Sequence, residues 1–252
     1  FNRDSFNEKR SRISDQLKFA VGISCTVGMP REYHRGGNYR SARSGQPEII
    51  YVSTTLFSEN INATGCRGVS DTELAISEIT LIEEVLGHLP HNVLYKPYPE
   101  HRYLDEDPIL AAVDRQANIE LHRQGLDLGY LLPDTKVIIT ARATSTMSWC
   151  LMTEKPVIYL NLKRQSPLRP DAREAFENAM FIFDDDDPDY ISSLTTFLSQ
   201  DISVIERKWQ DMKAAREEAI SIYIDSGGPG AGKRAARKII SELGIRLDGP
   251  GL

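Results

Sequence analysis

Near the carboxyl end, Gly227 to Lys233 run G-G-P-G-A-G-K, the G-x-x-x-x-G-K spacing of loops that wrap nucleotide phosphates in backbone N–H groups. Such a loop needs a hydroxyl after the lysine to hold Mg²⁺, and Arg234 stands there instead. It should also leave a strand. The preceding "WQDMKAAREEAISIYIDS" places Trp209, Met212, Ala215, Ala219 and Ile222 at helical spacing. Only about twenty residues follow, too few for the rest of a nucleotide fold. The stretch therefore reads as a glycine-rich helix stop ahead of a basic final helix, Lys233 to Leu243. The N–H groups at that helix start still suit an anion.

Other groups fit for chemistry stand where apolar runs end. After "EIIYVSTTL", Ser53 and Thr54 offer hydroxyls in a loop that an ordinary polar connection would equally explain. "YKPYPEHRY" sets Lys96, Tyr98, Pro99, Glu100 and His101 in a turn stiffened by two prolines, and a preorganised donor loses less entropy on binding. "ARATSTMSW" brings Arg142 next to Thr144, Ser145 and Thr146 at an expected helix start, where free N–H groups and the helix dipole favour a phosphate or carboxylate. Thr144 or Ser145 acting only as a helix cap is the competing reading. "NLKRQSPLRPDAR" adds Lys163, Arg164, Arg169 and Arg173. "DDDDPDY" invites a cation, but Asp187 before Pro188 is better explained as a helix cap with acids near the positive end of the dipole.

The elements that must position these groups alternate in type. Strands are expected at 48–56, 92–99, 118–125, 136–141, 156–162 and 179–185, and helices at 70–90, 107–116, 144–155 and 187–200. A turn of helix at 126–135 and a long charged helix reaching about residue 223 complete the pattern. In the helix at 70–90, Ser70 or Asp71 caps, and Leu74, Ile79, Ile82, Leu86 and Leu89 form the apolar stripe. The central strands are continuous apolar runs. Alternation with helices then predicts an α/β, Rossmann-like parallel sheet flanked by helices. Ligands of such sheets sit beyond the carboxyl ends of the strands, which is where the polar groups above fall.

The 252 residues are 40% hydrophobic and 26% charged, enough for one large core or two modest ones. A net charge of −6 argues against nucleic acid as a partner. No apolar run is long enough to span a bilayer, and no signal-peptide pattern is present. Cys25, Cys66 and Cys150 lack zinc or disulfide spacing and read as small buried apolar residues in a reducing compartment. A start at Phe1 suggests a processed chain or an excised domain.

Taken in order, "VGMPR", "IIYVSTTL", "YKPYPE" and "TSTMSWCLMTEKPVIYL" resemble the carboxyl-terminal, donor-binding half of GT-B-fold transferases. The similarity runs over roughly residues 20 to 240 and is to capsule-polysaccharide synthesis proteins, which include β-Kdo transferases, and to CDP-glycerol glycerophosphotransferases. It implies a GT-B half or a truncated GT-B. Residues 1–47 would be a remnant of the first domain with its linker, 48–225 the nucleotide-sugar-binding domain, and 226–252 a crossing helix and tail. It further implies a glycosyltransferase of cell-envelope or capsular polysaccharide synthesis. The co-substrate would be a nucleotide-activated sugar such as CMP-Kdo or another cytidine-activated donor, with a glycan acceptor and no cofactor or catalytic metal. The setting would be cytoplasmic, peripheral at the inner membrane face within an envelope-biosynthesis complex.

Lys96, Tyr98 and Pro99 would then form the donor-binding turn, and Ser145 and Thr146 the phosphate-holding helix start. "GGPGAGKRAARK" resembles the family's closing Gly-x-x-x-x-Arg segment. Two departures stand out: Tyr98 replaces a histidine, and Trp149, Cys150 and Leu151 stand where a glutamate is expected. No residue is assigned as the catalytic one. Transfer of glycerophosphate is the alternative activity, and a non-catalytic Rossmann-like scaffold the alternative class.

Overall fold

A computed structural model describes residues 47–54, 69–98, 107–123, 128–165, 167–224 and 230–243. The chain divides into two compact units: His34–Arg216, and a second that includes Glu217–Leu252.

The first unit is built on six parallel strands: β1 (Ile49–Val52), β2 (Val93–Lys96), β3 (Ile119–Leu121), β4 (Val137–Thr140), β5 (Val157–Asn161) and β6 (Phe181–Asp184). Their order across the sheet is β3-β2-β1-β4-β5-β6. This is the doubly wound order in which the chain steps outward from β1 one way and then the other, leaving a crevice at the β1/β4 switch point. The sheet is α/β and Rossmann-like, as the alternating pattern predicts.

The helices of this unit are α1 (Asp71–Glu84), α2 (Pro108–Asp114), α3 (Leu128–Leu131), α4 (Ser145–Leu151), α5 (Pro170–Phe176), α6 (Tyr190–Leu198) and α7 (Ile202–Asp211). α8 (Lys213–Tyr223) runs into the second unit, which also holds α9 (Ala231–Leu243). Right-handed crossovers place α1 and α2 on one face, and the reversed direction of travel places α4 and α5 on the other. Ile49, Tyr51, Val93, Tyr95, Val137 and Ile139 share a core with Leu74, Leu81 and Ile82 of α1, Ile109 and Val113 of α2, and Leu194 and Leu198 of α6. The alternate residues Ile50, Leu94 and Ile138 are equally buried, which is why these strands read as unbroken apolar runs.

α1 starts with a reciprocal cap. Glu73 N–H donates to Ser70 Oγ (3.2 Å), and Ser70 N–H donates to Glu73 Oε2 (2.9 Å). The long charged helix expected up to residue 223 is two helices, α7 and α8, broken at Met212. α4 is shorter than expected, because Met152–Glu154 form a turn in which Glu154 takes a left-handed φ of 63°. α5 begins in the basic stretch 162–173, where the sequence pattern predicts a loop.

Candidate functional site

The register fixes where the strand-end groups lie. Val52, the last residue of β1, pairs with Lys96 on one side and Thr140 on the other. Two strand spacings, about 10 Å in all, therefore separate the backbone of the Lys96 turn from the end of β4. Ser53, Thr54, Lys96, Arg142 and the start of α4 all stand on this carboxyl rim, at the switch point.

Thr54 and Arg142 meet directly. Arg142 Nε donates to Thr54 Oγ1 (2.8 Å), tying the segment after β1 to the segment after β4. Burial lowers the Arg142 pKa, an effect opposed by Tyr51, Tyr159 and Glu78 nearby. Its Nη2 is shielded from solvent with no hydrogen-bond partner among the described residues. A desolvated guanidinium nitrogen of this kind costs free energy until an acceptor reaches it, and an anionic oxygen is the strongest acceptor for it.

The other expected residues are placed as follows. Ser53 is nearly buried, and its N–H donates to the Lys96 carbonyl (3.0 Å). Lys96 does not stand out into solvent: its side chain is buried, and Nζ donates to the Pro97 carbonyl (3.1 Å). Tyr98 is exposed. Pro99, Glu100 and His101 lie outside the described residues. Thr144 occupies the cap position of α4 but makes no side-chain cap hydrogen bond, and Ser145 begins the helix. Thr146 is half-buried in its first turn. With two turns only, α4 gathers a modest dipole.

The basic loop is largely engaged internally. Lys163 and Arg173 both pair with Asp184 (3.1 and 3.0 Å), Arg164 with Glu73 (2.9 Å) and Arg169 with Asp171 (3.0 Å). Partial burial pushes the Asp184 carboxyl up, but hydrogen bonds from Asn161, Arg173 and Lys163 outweigh it and hold the group low. Asp184 thus serves the neighbouring basic segment. Asp189 rather than the expected Asp187 holds the cap position of α6, with Asp187 accepting from the Asp189 N–H (2.9 Å). No metal-sized cluster of His, Cys, Asp or Glu occurs among the described residues. Cys150 is fully buried, and burial pushes its thiol up to about 12, fitting an apolar filler. Cys25 and Cys66 lie outside the described residues.

Glu78 is the feature the apolar-stripe reading missed. It is 5% exposed, on the sheet-facing side of α1. Tyr95 Oη lies 2.7 Å from Glu78 Oε1 and 2.9 Å from Ser53 Oγ. Burial pushes the carboxyl up to about 7, against the hydrogen bonds of Ser53, Tyr95 and Tyr51. The signal was available: Glu78 stands four residues after Leu74 and four before Ile82, inside the stripe. A void of about 20 Å³, room for about one water, lies among Tyr51, Thr54, Ser77, Glu78 and Tyr190. A far broader cleft of about 1090 Å³ lies by Lys136, Lys155 and Trp209, at the amino ends of β4 and β5. The sheet's chemistry belongs to the opposite edge, so size does not make that cleft the site.

No protein-family model matches the chain, and no curated protein sequence does. Among solved structures it is similar to a glycosyltransferase from Rickettsia africae ESF-5, at 16% identity and a TM-score of 0.49 over 87% of this chain and 56% of that one. It is also similar to CalG4, the calicheamicin glycosyltransferase, at 16% identity and a TM-score of 0.47 over 84% and 45% of the two chains. With TarM the figures are 12% and 0.45, over 92% and 41%. The chain spans about half the length of the solved structures it matches. No helix among the described residues is long and apolar enough to cross a membrane.

Proposed function

We propose that this chain is the donor-binding half of a GT-B-type glycosyltransferase, holding the phosphates of a nucleotide-activated sugar at the β1/β4 switch point. The observation that carries the reading is the Arg142–Thr54 bond, with Arg142 Nη2 left to receive an acceptor beside it. Ser53 and the first N–H groups of α4 stand on the same rim. There the site stabilises negative charge developing on the leaving phosphate, a role that needs fixed donors rather than a metal. A cytidine-activated donor, a glycan acceptor and work at the inner membrane face are the finer form of the proposal. They rest on the motif resemblance.

Isothermal titration with CMP, CDP and UDP tests it. Micromolar binding of one nucleotide, weakened at least tenfold in Arg142→Ala, is the expected result. Binding no tighter than millimolar for all three, unchanged in Arg142→Ala, overturns it. A scaffold without donor is the second reading, favoured by the burial of Lys96 against Pro97. It predicts a melting temperature that nucleotide leaves unmoved.

A further inference from the structure

Beneath the switch point, three oxygens form a chain from the core to the rim: Glu78 Oε1, Tyr95 Oη and Ser53 Oγ, separated by 2.7 and 2.9 Å. A phenol carries one proton, so Tyr95 can donate to only one neighbour at a time and must accept from the other. While Glu78 is ionised it is acceptor-only. Tyr95 then donates inward to the carboxylate, and the Ser53 hydroxyl, which also reaches the Thr54 carbonyl (3.3 Å), donates inward to Tyr95 or to the carboxylate itself. When Glu78 takes up a proton its carboxyl donates to Tyr95 Oη, Tyr95 turns to donate to Ser53 Oγ, and the Ser53 proton is released toward the rim. One proton taken from solvent forms an O–H bond at Glu78; the Tyr95 and Ser53 hydroxyls only turn, and no other covalent bond changes.

We propose that this chain is a proton-coupled polarity relay, in which an anion bound at the rim draws one proton onto Glu78 and receives in return a hydrogen bond from Ser53. The inference rests on the donor-phosphate reading above and deepens it by naming the regulation of the same site. Other groups around Glu78 favour the arrangement. Tyr51 on β1 and Ser53 both hydrogen-bond to the carboxyl, and Asp107, the cap of α2, adds a like charge. Arg142 interacts with it electrostatically across the crevice. Tyr190 of α6 lines the same void. Burial already brings the carboxyl to about 7, so an anion that raises its proton affinity about a hundredfold captures nearly a whole proton just above neutral pH. An ionised Glu78 would also repel that anion from below, so relay and repulsion act in the same direction.

The test is isothermal titration of the whole chain with UDP-glucose and CDP-glucose across neutral pH, in buffers of different ionisation enthalpy. The diester phosphates of these probes do not themselves titrate there. In the wild type, binding takes up close to one proton above neutral pH, and Kd rises about tenfold per pH unit on the alkaline side. In Glu78→Gln the amide donates as the protonated acid does, so binding stays at its acid-side strength and the slope vanishes. Tyr95→Phe keeps the packing and removes the middle oxygen, leaving only the direct Ser53–Glu78 contact, and its slope falls below half that of the wild type. The side-chain carboxyl carbon of Glu78, followed by NMR, titrates near neutrality in the free protein and moves alkaline with ligand; this reading serves if Glu78→Gln does not fold. A wild-type Kd that ignores pH, or a slope unaltered in Tyr95→Phe, overturns the relay and leaves the donor reading standing. If neither sugar nucleotide binds at any pH, both fall together.

Discussion

Arg142 Nε donates to Thr54 Oγ1 over 2.8 Å, joining residues 88 positions apart in sequence across the switch point of the sheet. The bond orients the guanidinium so that Nη2 remains for another acceptor. Arg142→Lys keeps the charge and loses the fork, since an ammonium cannot bond Thr54 and an anion with the same fixed geometry. Nucleotide affinity should fall about tenfold, ~1.4 kcal/mol, in calorimetry. The melting temperature should shift by no more than a few degrees, because a single net hydrogen bond contributes about 1 kcal/mol. An Arg142→Lys protein that binds as tightly as the wild type removes Arg142 from the site.

Glu78 makes stability depend on pH in an unusual direction. Its folded pKa, about 7, stands above the ordinary value of 4.5, so between the two the folded state binds the proton and the unfolded state has released it. Stability from this group is full below 4.5, declines as pH rises to about 7, and is flat above. The span amounts to about 3 kcal/mol. Urea unfolding at a series of pH values should show that decline, and Glu78→Gln should remove it. An equal decline in both proteins would place its origin elsewhere.

Much of this architecture can be read from the residues. The runs at β4 and β5 are buried on both faces, so they appear as unbroken apolar stretches and their strand ends locate the rim. Boundaries were less legible, because they depend on partners distant in sequence. Among the described residues, the run expected at 48–56 pairs over Ile49–Val52, where β2 and β4 flank it. α4 ends early where Lys155 Nζ reaches the carbonyls of Leu132, Pro133 and Thr135, three contacts that local propensity does not encode. The break at Met212 has neither Gly nor Pro to announce it. α5 carried a signal that went unread, Pro170 at its first position. Within the site, Arg142 and Thr54 were legible as polar residues at strand ends. Glu78 was legible only by its place inside the apolar stripe of α1, while the burial of Lys96 and the Tyr95 and Ser53 partners of Glu78 were not, since they depend on which face of β2 meets the core.

The cap of α1 offers a separate check on the helix that carries Glu78. Ser70 Oγ accepts from Glu73 N–H, and Glu73 also pairs with Arg164. Ser70→Ala leaves that N–H to water and should cost about 1 kcal/mol in chemical denaturation. Ser70→Asp preserves an acceptor and should recover most of the loss. If Ser70→Ala unfolds at the wild-type midpoint, the cap contributes nothing to the fold.

Glu154 and Trp209 should respond with opposite signs. Trp209 is fully buried, stacks under Arg216 with the guanidinium 3.8 Å from the ring, and donates from Nε1 to the Glu154 carbonyl (2.8 Å). That bond holds the turn after α4, where Glu154 keeps φ at 63°, a region costly for a residue with a Cβ. Trp209→Phe removes the donor and part of the stacking surface and should cost about 2 kcal/mol. Glu154→Gly relieves about 1–2 kcal/mol of left-handed strain and loses about 0.5–1 kcal/mol to the entropy of the unfolded chain, a net gain of about 0.5–1 kcal/mol. Both are read as shifts of the denaturation midpoint at constant slope. Destabilisation by Glu154→Gly as large as that by Trp209→Phe would mean the Glu154 side chain holds the turn through contacts of its own, and the account of strain relieved by glycine would fail.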